Sequence, residues 1–476
     1  MDTDVLIVGA GPTGMTLANE LLTAGVSTVL ADKLSQRSEL SKAGGVQSRT
    51  LEALDQRGLL EPLLATGDHP TTTGHFAGIP LPFDSNRHRL PWRSVPQVVI
   101  EGFFEQHLAA RGLHARRNHQ LVALAQDDDG VTADFADGTT LRSRYLVAAD
   151  GAHSTVRSLL RAAFPGRSGT STITAADVRL GGDDPSTSHT WTEDGHWAAL
   201  FPLGTDQQGR QLRRLALGGP DQALPREVPV TEDEVRRGLR VVFGPGVELL
   251  ELRHAGRITD VSRQVEQYRH GRVFLAGDAA HVHLPLGAQG MNTGIQDALN
   301  LGWKLGAAVH GWAPEDLLDT YHVERHPAGA AVLRNVRAQS LLMDWAGTRD
   351  PHVLAAREIF TEMAQLPDVQ HYLSDMMSGM ALRYPMHGTE THPLVGRPAP
   401  DLGPARVHEL LRHGHGILLD PADTFADVVG PWKDRVDRAG RGAPTEPMLI
   451  RPDGYVCWAG TADPGPALAR WFGEPH

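Results

Sequence analysis

The sequence predicts an α/β fold of more than one domain, and three observations support this. An apolar run at Val5–Val8 leads through a glycine-rich turn into helix-compatible sequence, as in a strand–turn–helix unit. The stretch 169–261 is rich in predicted strands and punctuated by proline and glycine. A proline-rich linker at 392–400 opens a further unit. With 476 residues, the chain is long enough for two or three domains and a substantial core.

The first strand ends in a glycine motif of the pattern GxGxxG. Gly9 allows a sharp turn, Gly11 lets the backbone approach a pyrophosphate, and Gly14 lets the helix pack against the strand. The pyrophosphate would bind the free N–H groups at the helix N-terminus, where the helix dipole favours negative charge. A turn without ligand in an α/β domain is the alternative interpretation.

Asp32 strengthens the dinucleotide interpretation. It ends a second apolar run, 27–31, about twenty residues beyond the glycines, where a carboxylate can accept hydrogen bonds from a ribose hydroxyl. Lys33, Arg37 and Lys42 follow, and cations at this place suit phosphate contacts. A solvated basic surface is the alternative for these cations. We therefore predict a dinucleotide site on this domain.

Charge and composition exclude several classes of protein. The net charge of −12 and the pI near 6.0 argue against nucleic acid or an anionic membrane as the main partner. No apolar stretch reaches transmembrane length, and the N-terminus lacks the basic region of a signal peptide. The single cysteine, Cys457, excludes an internal disulfide, and His281 and His283 have no third ligand at metal-like spacing. We expect a cytoplasmic protein without a metal.

Further elements continue the nucleotide-binding domain. A helix is predicted over 97–109, and the strands between 120 and 141 form a three-stranded antiparallel meander. An apolar strand then ends at Asp150-Gly151, and Ser154 is placed to cap the following helix.

The segments 71–96 and 169–261 are predicted to form one β-rich domain whose sheet covers the cofactor. Aromatic side chains there could line a pocket for a flat apolar ligand. The candidates are His75, Phe76, Trp92, Trp191, Trp197 and Phe201. Ordinary core packing explains most of them equally well.

A third motif joins a buried strand to a long helix. The strand ends at Gly277-Asp278, where the carboxylate can accept a hydrogen bond from a polyol hydroxyl. The stretch 285–290 then leads into a helix that begins at about Met291. The amides at its start can hydrogen-bond a flavin pyrimidine carbonyl and stabilise negative charge there. These amides belong to Gly290, Met291 and Asn292.

The three motifs together resemble class A flavoprotein monooxygenases, whose archetype is para-hydroxybenzoate hydroxylase. The residues that carry the resemblance are the GxGxxG motif with Asp32, the Asp150-Gly151-x-x-Ser154-x-x-Arg157 motif, and Gly277-Asp278-Ala279-Ala280-His281 with Pro285. The chain resembles the actinobacterial aromatic polyketide hydroxylases of the angucycline and anthracycline type more closely than it resembles the archetype. The resemblance also includes 55–58, 321–327 and 451–456, and so covers nearly the whole chain.

The resemblance implies an α/β fold in which a Rossmann-like FAD-binding domain of the GR2 type carries an inserted β-sheet substrate domain. A thioredoxin-like C-terminal domain without a CxxC pair follows. The implied boundaries are 1–70, 97–168 and 262–330 for the FAD-binding domain, 71–96 and 169–261 for the substrate domain, 331–390 for a helical segment and 391–476 for the C-terminal domain. Residues 341–343 in the helical segment suit core packing, a cavity wall or a homodimer surface.

The resemblance also implies the FAD contacts. Gln97 would meet the ribityl region, Leu121 would touch the adenine through its backbone, and Pro285 would lie near the flavin face that reacts with oxygen. Lys42 replaces the usual arginine of the family, and lysine cannot bind a phosphate bidentately. The full implied set is Gly9, Gly11, Pro12, Thr13, Gly14, Asp32, Lys33, Lys42, Gln97, Leu121, Asp150, Gly151, Gly277, Asp278, Pro285, Gly287, Gly290, Met291 and Asn292.

The implied reaction is hydroxylation of a polycyclic aromatic polyketide in antibiotic biosynthesis. NAD(P)H would reduce the FAD, and O2 would form a flavin C4a-hydroperoxide that transfers its distal oxygen to a phenolic ring carbon. The protein must exclude water and move the flavin between an exposed and a buried position. No side chain stands out as a secure base.

Other functions remain open at this stage. A Baeyer–Villiger enzyme or an antibiotic-inactivating oxygenase could use the same scaffold. A flavin halogenase is disfavoured because the sequence has no lysine-bearing motif of that group. Outside the enzymes, the chain could be a flavin-loaded binder of a polyketide intermediate.

Overall fold

A computed structural model describes the chain except for residues 40, 42, 67–68, 71–72, 83–88, 170, 184, 186–188, 206–209, 221–223, 345–348, 387–391, 401–405, 441–445 and 476.

The strands are, in chain order, β1 (Thr3–Val8), β2 (Thr28–Ala31), β3 (His69–Pro70), β4 (Thr73–Phe76), β5 (Ile79–Pro82), β6 (Arg93–Ser94), β7 (Leu121–Gln126), β8 (Val131–Phe135), β9 (Thr140–Ala148), β10 (Gly166–Arg167), β11 (Thr172–Gly182), β12 (His189–Trp191), β13 (Trp197–Thr205), β14 (Gln211–Gly218), β15 (Val247–Thr259), β16 (Ser262–Gln264), β17 (Arg269–His270), β18 (Val273–Leu275), β19 (His281–Val282), β20 (Gly416–Leu419), β21 (Val436–Ala439), β22 (Met448–Ile450) and β23 (Val456–Ala459).

The α-helices are α1 (Pro12–Thr23), α2 (Ser48–Asp55), α3 (Leu60–Leu64), α4 (Gln97–Ala110), α5 (Thr155–Leu159), α6 (Glu232–Phe243), α7 (Gln289–His310), α8 (Thr320–Leu342), α9 (Pro351–Met363), α10 (Pro367–Ser378), α11 (Val407–Leu410), α12 (Ala426–Val429) and α13 (Gly465–Phe472). Short 3-10 turns lie at Gly277–Ala279, Leu286–Ala288, Leu411–His413 and Gly430–Trp432.

The central sheet has the order β17-β18-β9-β1-β2. The pairs β18–β9, β9–β1 and β1–β2 are parallel, and the meander β7-β8-β9 is antiparallel as the sequence predicts. Because parallel strands end at the same edge of a sheet, the three sequence motifs at the ends of β1, β9 and β18 lie side by side. Helices α1 and α7 pack against each other beside this edge.

The β-rich region contains a five-stranded antiparallel sheet with the order β12-β13-β14-β11-β15. The hairpin β4–β5 is a separate two-stranded sheet rather than a continuation of it. Phe76 and Ile79 of the hairpin nevertheless share one hydrophobic cluster with Ile173 and Trp197 of the larger sheet. The side chains, not the backbone, therefore join the hairpin to the five-stranded sheet.

The C-terminal unit has a mixed four-stranded sheet with the order β21-β20-β22-β23. The pair β20–β21 is parallel and the other two pairs are antiparallel. Its hydrophobic cluster includes Trp303 and Ala307 of α7, so the unit packs directly on that helix. The domain boundaries given above stay predictions.

Buried charges reinforce this contact. Arg451 of the C-terminal unit donates to Glu324 of α8 at 2.6 Å, and Lys304 of α7 donates to the same carboxylate at 2.8 Å. Burial acts to raise the pKa of Glu324, but Arg451 and Lys304 outweigh it and hold the pKa at about 2. The carboxylate is therefore ionised inside the protein and links three elements.

Candidate functional site

The glycine motif forms an open helix N-terminus. A Cβ on Gly9 would lie 2.2 Å from the carbonyl oxygen of Ala149, and one on Gly14 would lie 1.9 Å from that of Gly9. A Cβ on Gly11 would meet no atom within 4 Å. Gly11 caps α1 without a side-chain hydrogen bond, and the first turn carries no acidic residue. The first and third glycines are thus required by packing, while the second leaves free space where the helix dipole favours an anion.

Thr13 brings the first and third motifs together. Its side chain lies so close to Gly277 and Gly294 that a Cβ on either glycine would meet its hydroxyl at 2.7 and 2.3 Å, respectively. Pro12 at the same helix start is half-buried. Pro12, Thr13 and Gly277 were predicted to belong to one cofactor site. In the structure these three residues lie close together at the same edge of the central sheet.

Asp32 is held beside the glycine turn. Its Oδ2 accepts from the Ala10 amide at 2.7 Å and its Oδ1 from the Leu34 amide at 2.8 Å. Arg117 lies 3.7 Å from Oδ1. Each carboxylate oxygen can accept more than one hydrogen bond, so the carboxylate can still receive a ribose hydroxyl.

Asp150 presents a buried carboxylate oxygen at the end of β9. Its Oδ2 accepts from the amides of Thr155 and Val156 at 2.7 and 3.1 Å, while its buried Oδ1 has no hydrogen bond from the described residues. Burial raises the pKa of Asp150. A buried acceptor at the strand edge fits a polyol or amide donor of a bound group. Gly151, next in the chain, has a φ of +82° and open space at its Cβ position.

The predicted cap by Ser154 is confirmed. Its hydroxyl accepts from the Arg157 amide at 3.0 Å. The Arg157 guanidinium donates to the carbonyl oxygens of Ala279 at 3.0 Å and Ala152 at 2.7 Å. The second and third motifs are therefore tied together by this arginine.

Asp297 stabilises the Gly277 turn through a hydrogen bond, and this residue was not predicted from the sequence as part of the site. Asp297 Oδ2 accepts from the Gly277 amide at 3.0 Å and lies 2.8 Å from His281 Nε2. Arg325 donates to Oδ1 at 2.7 Å, and the whole group is at most 1% exposed. Asp278 is exposed between buried neighbours, so its carboxylate is available at the strand edge as predicted for a polyol contact.

The segment 285–292, which comprises a loop and the first turn of α7, has an unusual backbone, and we call it the flavin loop after the contact predicted for it. Gly287 has a φ of 67°, and Ala288 adopts a φ of 52°, which is rare for a residue with a side chain. Helix α7 begins at Gln289, two residues earlier than predicted. Pro285 is exposed at the start of the loop, whereas Gly290 and Met291 are half-buried.

Gln47 fixes the flavin loop on one side. Its amide N–H donates to Asn292 Oδ1 at 2.9 Å, and its side chain donates to the Gly287 carbonyl at 2.7 Å. Asn292 in turn donates to the carbonyl oxygens of Gly45 and Ala288. The side chain of Asn292 is thus used by the protein, and its backbone N–H remains the group that suits a cofactor contact.

Other predicted cofactor residues lie as follows. Gln97 begins α4, and its side chain donates to Glu101 at 2.7 Å. Leu121 is 3% exposed and belongs to the main core, and its predicted backbone contact with the adenine stays a prediction. Lys33 is exposed, and Lys42 lies outside the described residues.

The predicted substrate residues separate into three groups. His75, Trp191 and Phe201 are half-buried and gather around His189, whose ring centroid lies 4.3 Å from that of His75. Phe76 and Trp197 are 3% and 2% exposed and belong to the core. Trp92 lies elsewhere, because its indole covers Gly45 beside the flavin-loop contacts. His189 was missed, although it shares a strand face with Trp191 two residues on.

The His75–His189 pair is neutral at pH 7. Burial lowers the pKa of His75 to about 4, and burial together with His75 and Arg357 lowers that of His189 to about 3. The Gly78 amide donates to His75 Nδ1 at 3.2 Å, so the proton of the neutral ring resides on Nε2. His75 therefore presents a neutral N–H donor within an aromatic cluster.

No group of His, Cys, Asp and Glu in the described ranges could hold a metal ion. Among the helices that can be described, none is both long and apolar enough to cross a membrane.

Comparison with known proteins identifies the class. Residues 2–336 match the family described as FAD binding domain, and residues 392–475 match the family described as aromatic-ring hydroxylase, C-terminal. The 12-dehydrotetracycline 5-monooxygenase/anhydrotetracycline 6-monooxygenase of Streptomyces rimosus is 40% identical, with full coverage of both chains. Rifampicin monooxygenase of Streptomyces venezuelae is also 40% identical and covers 99% of this chain and 98% of its own.

A solved structure gives the same result. OxyS anhydrotetracycline hydroxylase from Streptomyces rimosus superimposes with a TM-score of 0.89 at 40% identity, covering 100% of both chains. The chain belongs to the FAD-dependent aromatic hydroxylases, and it is an FAD-dependent aromatic monooxygenase. The predicted family, fold class and FAD cofactor are confirmed, and NAD(P)H is the typical co-substrate of such enzymes.

Proposed function

We propose that this monooxygenase uses NAD(P)H and O2 to hydroxylate a polycyclic aromatic polyketide in secondary-metabolite biosynthesis. The observation that carries the proposal is the His75–His189 aromatic cluster. It shares one hydrophobic cluster with Leu284 and with Leu286 of the flavin loop. A flat aromatic ligand between these elements would meet rings on one side and the loop on the other.

The cofactor would lie along the edge of the central sheet. The open N-terminus of α1 at Gly11 would receive the pyrophosphate, and Asp32 the adenosine ribose. Asp278 and the free oxygen of Asp150 would accept hydrogen bonds from the ribityl chain or the nicotinamide co-substrate. When bound, FAD supplies a hydride acceptor that also reacts with O2. The chain's own residues bind and orient it.

The start of α7 would hold the pyrimidine end of the flavin. The backbone N–H groups of Gly290, Met291 and Asn292 stand at the N-terminus of a 22-residue helix, whose dipole stabilises negative charge. Pro285, exposed at the loop start, would border the substrate side. Leu284 and Leu286 are buried and keep this region apolar, which helps to exclude water.

His75 would orient the substrate. Its Nε2–H can donate to a phenol or ketone oxygen, and its neutral state spares the cost of a buried cation. We assign no general base, because an electron-rich polyphenol ionises readily without one. His75, Trp191 and Phe201 are thus proposed as substrate contacts, and Phe76 and Trp197 as their core support.

A second candidate function is inactivation of an antibiotic by oxygenation. It is favoured by the near-complete coverage of rifampicin monooxygenase at 40% identity. The two candidates differ in substrate and not in the cofactor site.

The test is a product screen with purified holoenzyme, NADPH or NADH, and air. Anhydrotetracycline and rifampicin are the two probes, and mass spectrometry and NMR identify any product. A ring hydroxyl on the tetracycline supports biosynthetic hydroxylation, while an oxygenated rifampicin alone supports inactivation. A ring-expanded lactone would replace hydroxylation by Baeyer–Villiger chemistry. Binding of both probes without stimulated NAD(P)H oxidation would overturn the proposal in favour of a flavin-loaded binder.

A further inference from the structure

A chain of buried amides connects the flavin loop to the tip of the β4–β5 hairpin. Gln289 starts α7 in the loop, Asn335 and Gln339 lie one turn apart on α8, and Ala77 forms the hairpin turn. All four residues are at most 4% exposed. We call Gln289, Asn335 and Gln339 the amide relay.

Each member of the relay bonds the next. The Ala77 amide donates to Gln339 Oε1 at 3.1 Å, and Gln339 Nε2 donates to Asn335 Oδ1 at 3.0 Å. Asn335 Nδ2 donates to Gln289 Oε1 at 3.0 Å. Gln289 Nε2 then donates to the carbonyl oxygen of Leu286 at 3.2 Å. An unbroken series of hydrogen bonds therefore crosses from the hairpin to the loop.

The direction of the relay is fixed at both ends by the backbone. Ala77 offers an N–H, so Gln339 must present its oxygen there, and Leu286 offers a carbonyl, so Gln289 must present its nitrogen. Only one orientation of all three side-chain amides satisfies both ends. Rotating any one of these side-chain amides by 180° would place two donors or two acceptors against each other in a buried space.

Both ends of the relay carry uncommon backbone. Ala77 has a φ of 53°, and its carbonyl oxygen accepts from Arg357 at 2.7 Å, so both polar groups of this residue are held. At the other end, a Cβ on Gly287 would lie 3.2 Å from the Gln289 amide nitrogen and 3.5 Å from that of Gln339. The relay therefore lies directly against the loop segment that departs from regular structure.

We propose that the amide relay positions the flavin loop relative to the substrate hairpin, so that a shift of the hairpin when an aromatic ligand binds is transmitted to Leu286–Gln289. The hairpin carries His75, whose Nδ1 is bonded within the same turn. Loss of one relay bond leaves a buried donor and a buried acceptor unsatisfied, so movement of the hairpin together with the loop costs less free energy than movement of either alone. Naming the hairpin as the substrate side rests on the proposed function.

The test is hydrogen exchange by mass spectrometry on the FAD-loaded protein without aromatic ligand. In Gln339→Met the bond to the Ala77 amide is lost directly, so the deciding amides are those of the flavin loop. The relay predicts that amides in 286–291 also exchange about tenfold faster, because they are held through Asn335 and Gln289. Coupling is reciprocal, so Gln289→Met must in turn speed exchange in 73–82.

The matched control is Gln264→Met. Gln264 is another buried amide, and its Nε2 donates to Tyr268 and to the His326 carbonyl outside the relay. We expect this variant to lose stability without faster exchange in either 73–82 or 286–291. A Gln339→Asn variant keeps the amide but is one methylene too short, and it replaces Gln339→Met if that variant does not fold.

A second readout follows the cofactor. The visible circular dichroism of bound FAD should change in Gln339→Met and stay as in the wild type in Gln264→Met. Exchange that rises only in the mutated residue's own neighbourhood, with an unchanged flavin spectrum, would overturn the relay. Because these measurements use no substrate, a negative result would contradict the relay but not the proposed hydroxylation. A failed product screen would contradict the proposed hydroxylation but not the relay.

Discussion

Asp297 and Arg325 form a fully buried ion pair at the end of β18, with Arg325 Nε 2.7 Å from Asp297 Oδ1. The other oxygen of Asp297 receives the amide of Gly277, the turn that precedes Asp278. The pair therefore holds the residue just before Asp278, the predicted ribityl contact, and couples α8 to the end of β18.

Replacing Arg325 by methionine should destabilise the protein by about 3–5 kcal/mol, because it leaves the Asp297 carboxylate buried without its cation. Urea unfolding measures this loss, and flavin absorbance after gel filtration measures FAD retention, which should fall as the Gly277 turn loosens. The control is Arg236→Met, which breaks an exposed pair with Glu232 and should cost less than about 1 kcal/mol. Equal losses in the two variants would contradict the bracing role.

The second and third glycines of the first motif should respond differently to replacement by alanine. Gly14→Ala forces a Cβ against the Gly9 carbonyl and should destabilise the apoprotein by at least about 1–3 kcal/mol. Gly11→Ala meets open space and should leave apoprotein unfolding unchanged while weakening FAD binding about tenfold or more. Fluorescence titration of the apoprotein with FAD separates the two effects. Wild-type FAD affinity in Gly11→Ala would place the pyrophosphate elsewhere.

His75→Phe should lower kcat/KM for the substrate found in the product screen by about tenfold, since one hydrogen bond to the ligand is worth roughly 1 kcal/mol or more. FAD affinity should not change, because the ring lies in the β-rich region. The control is His254→Phe, an exposed histidine on β15 of the same sheet. Unaltered kinetics in His75→Phe would remove this residue from the substrate contacts.

Acid should act on the protein through Glu324. Its pKa is held at about 2 in the folded protein against an ordinary 4.5, so the unfolded chain takes up the proton first as the pH falls. The contribution to stability is complete above pH 4.5 and decreases from there towards pH 2. Urea unfolding at stepped pH should show a steeper loss in the wild type than in Glu324→Gln. If the free energy of unfolding fell equally with pH in the wild type and in Glu324→Gln, Glu324 would not be the source of the acid sensitivity.

Local patterns predicted the parts of the site that are built locally. The glycines at 9, 11 and 14, the aspartates that end strands, and the Ser154 cap are each readable from a few neighbouring residues, since strand ends and helix starts have their own residue preferences. The parallel order of β2, β1, β9 and β18 then brings these short motifs to one edge.

Contacts between distant segments could not be predicted in this way. Asp297 and Arg325 are 28 residues apart and Ala77 and Gln339 are 262 apart, and no local preference marks them as partners. Trp197 and Trp191 share a similar aromatic pattern, yet Trp197 fills the space above Gly218 while Trp191 lies in the cluster. Whether an aromatic side chain is buried depends on the residues that pack against it from other elements, and a single sequence does not reveal which residues these are.

The start of α7 differs from its prediction for a related reason. Glycine at 287 and 290 suggested that the helix begins after both, but Ala288 takes the left-handed conformation and starts the helix at Gln289. The amide relay and Gln47 hold this backbone from two sides, and tertiary contacts thus override the local preference of alanine.

Arg451 of the C-terminal unit neutralises the buried carboxylate of Glu324, which lies where α7 and α8 meet. A protein truncated before residue 392 would lack Arg451, so that of the two cations at Glu324 only Lys304 would remain. The truncation would also expose Trp303 of α7, the helix that begins at the flavin loop. Engineers who change the substrate specificity of this scaffold must therefore keep the contact between the hairpin and Gln339 when they exchange the β-rich region, and they must retain the C-terminal unit because it supports α7 and α8.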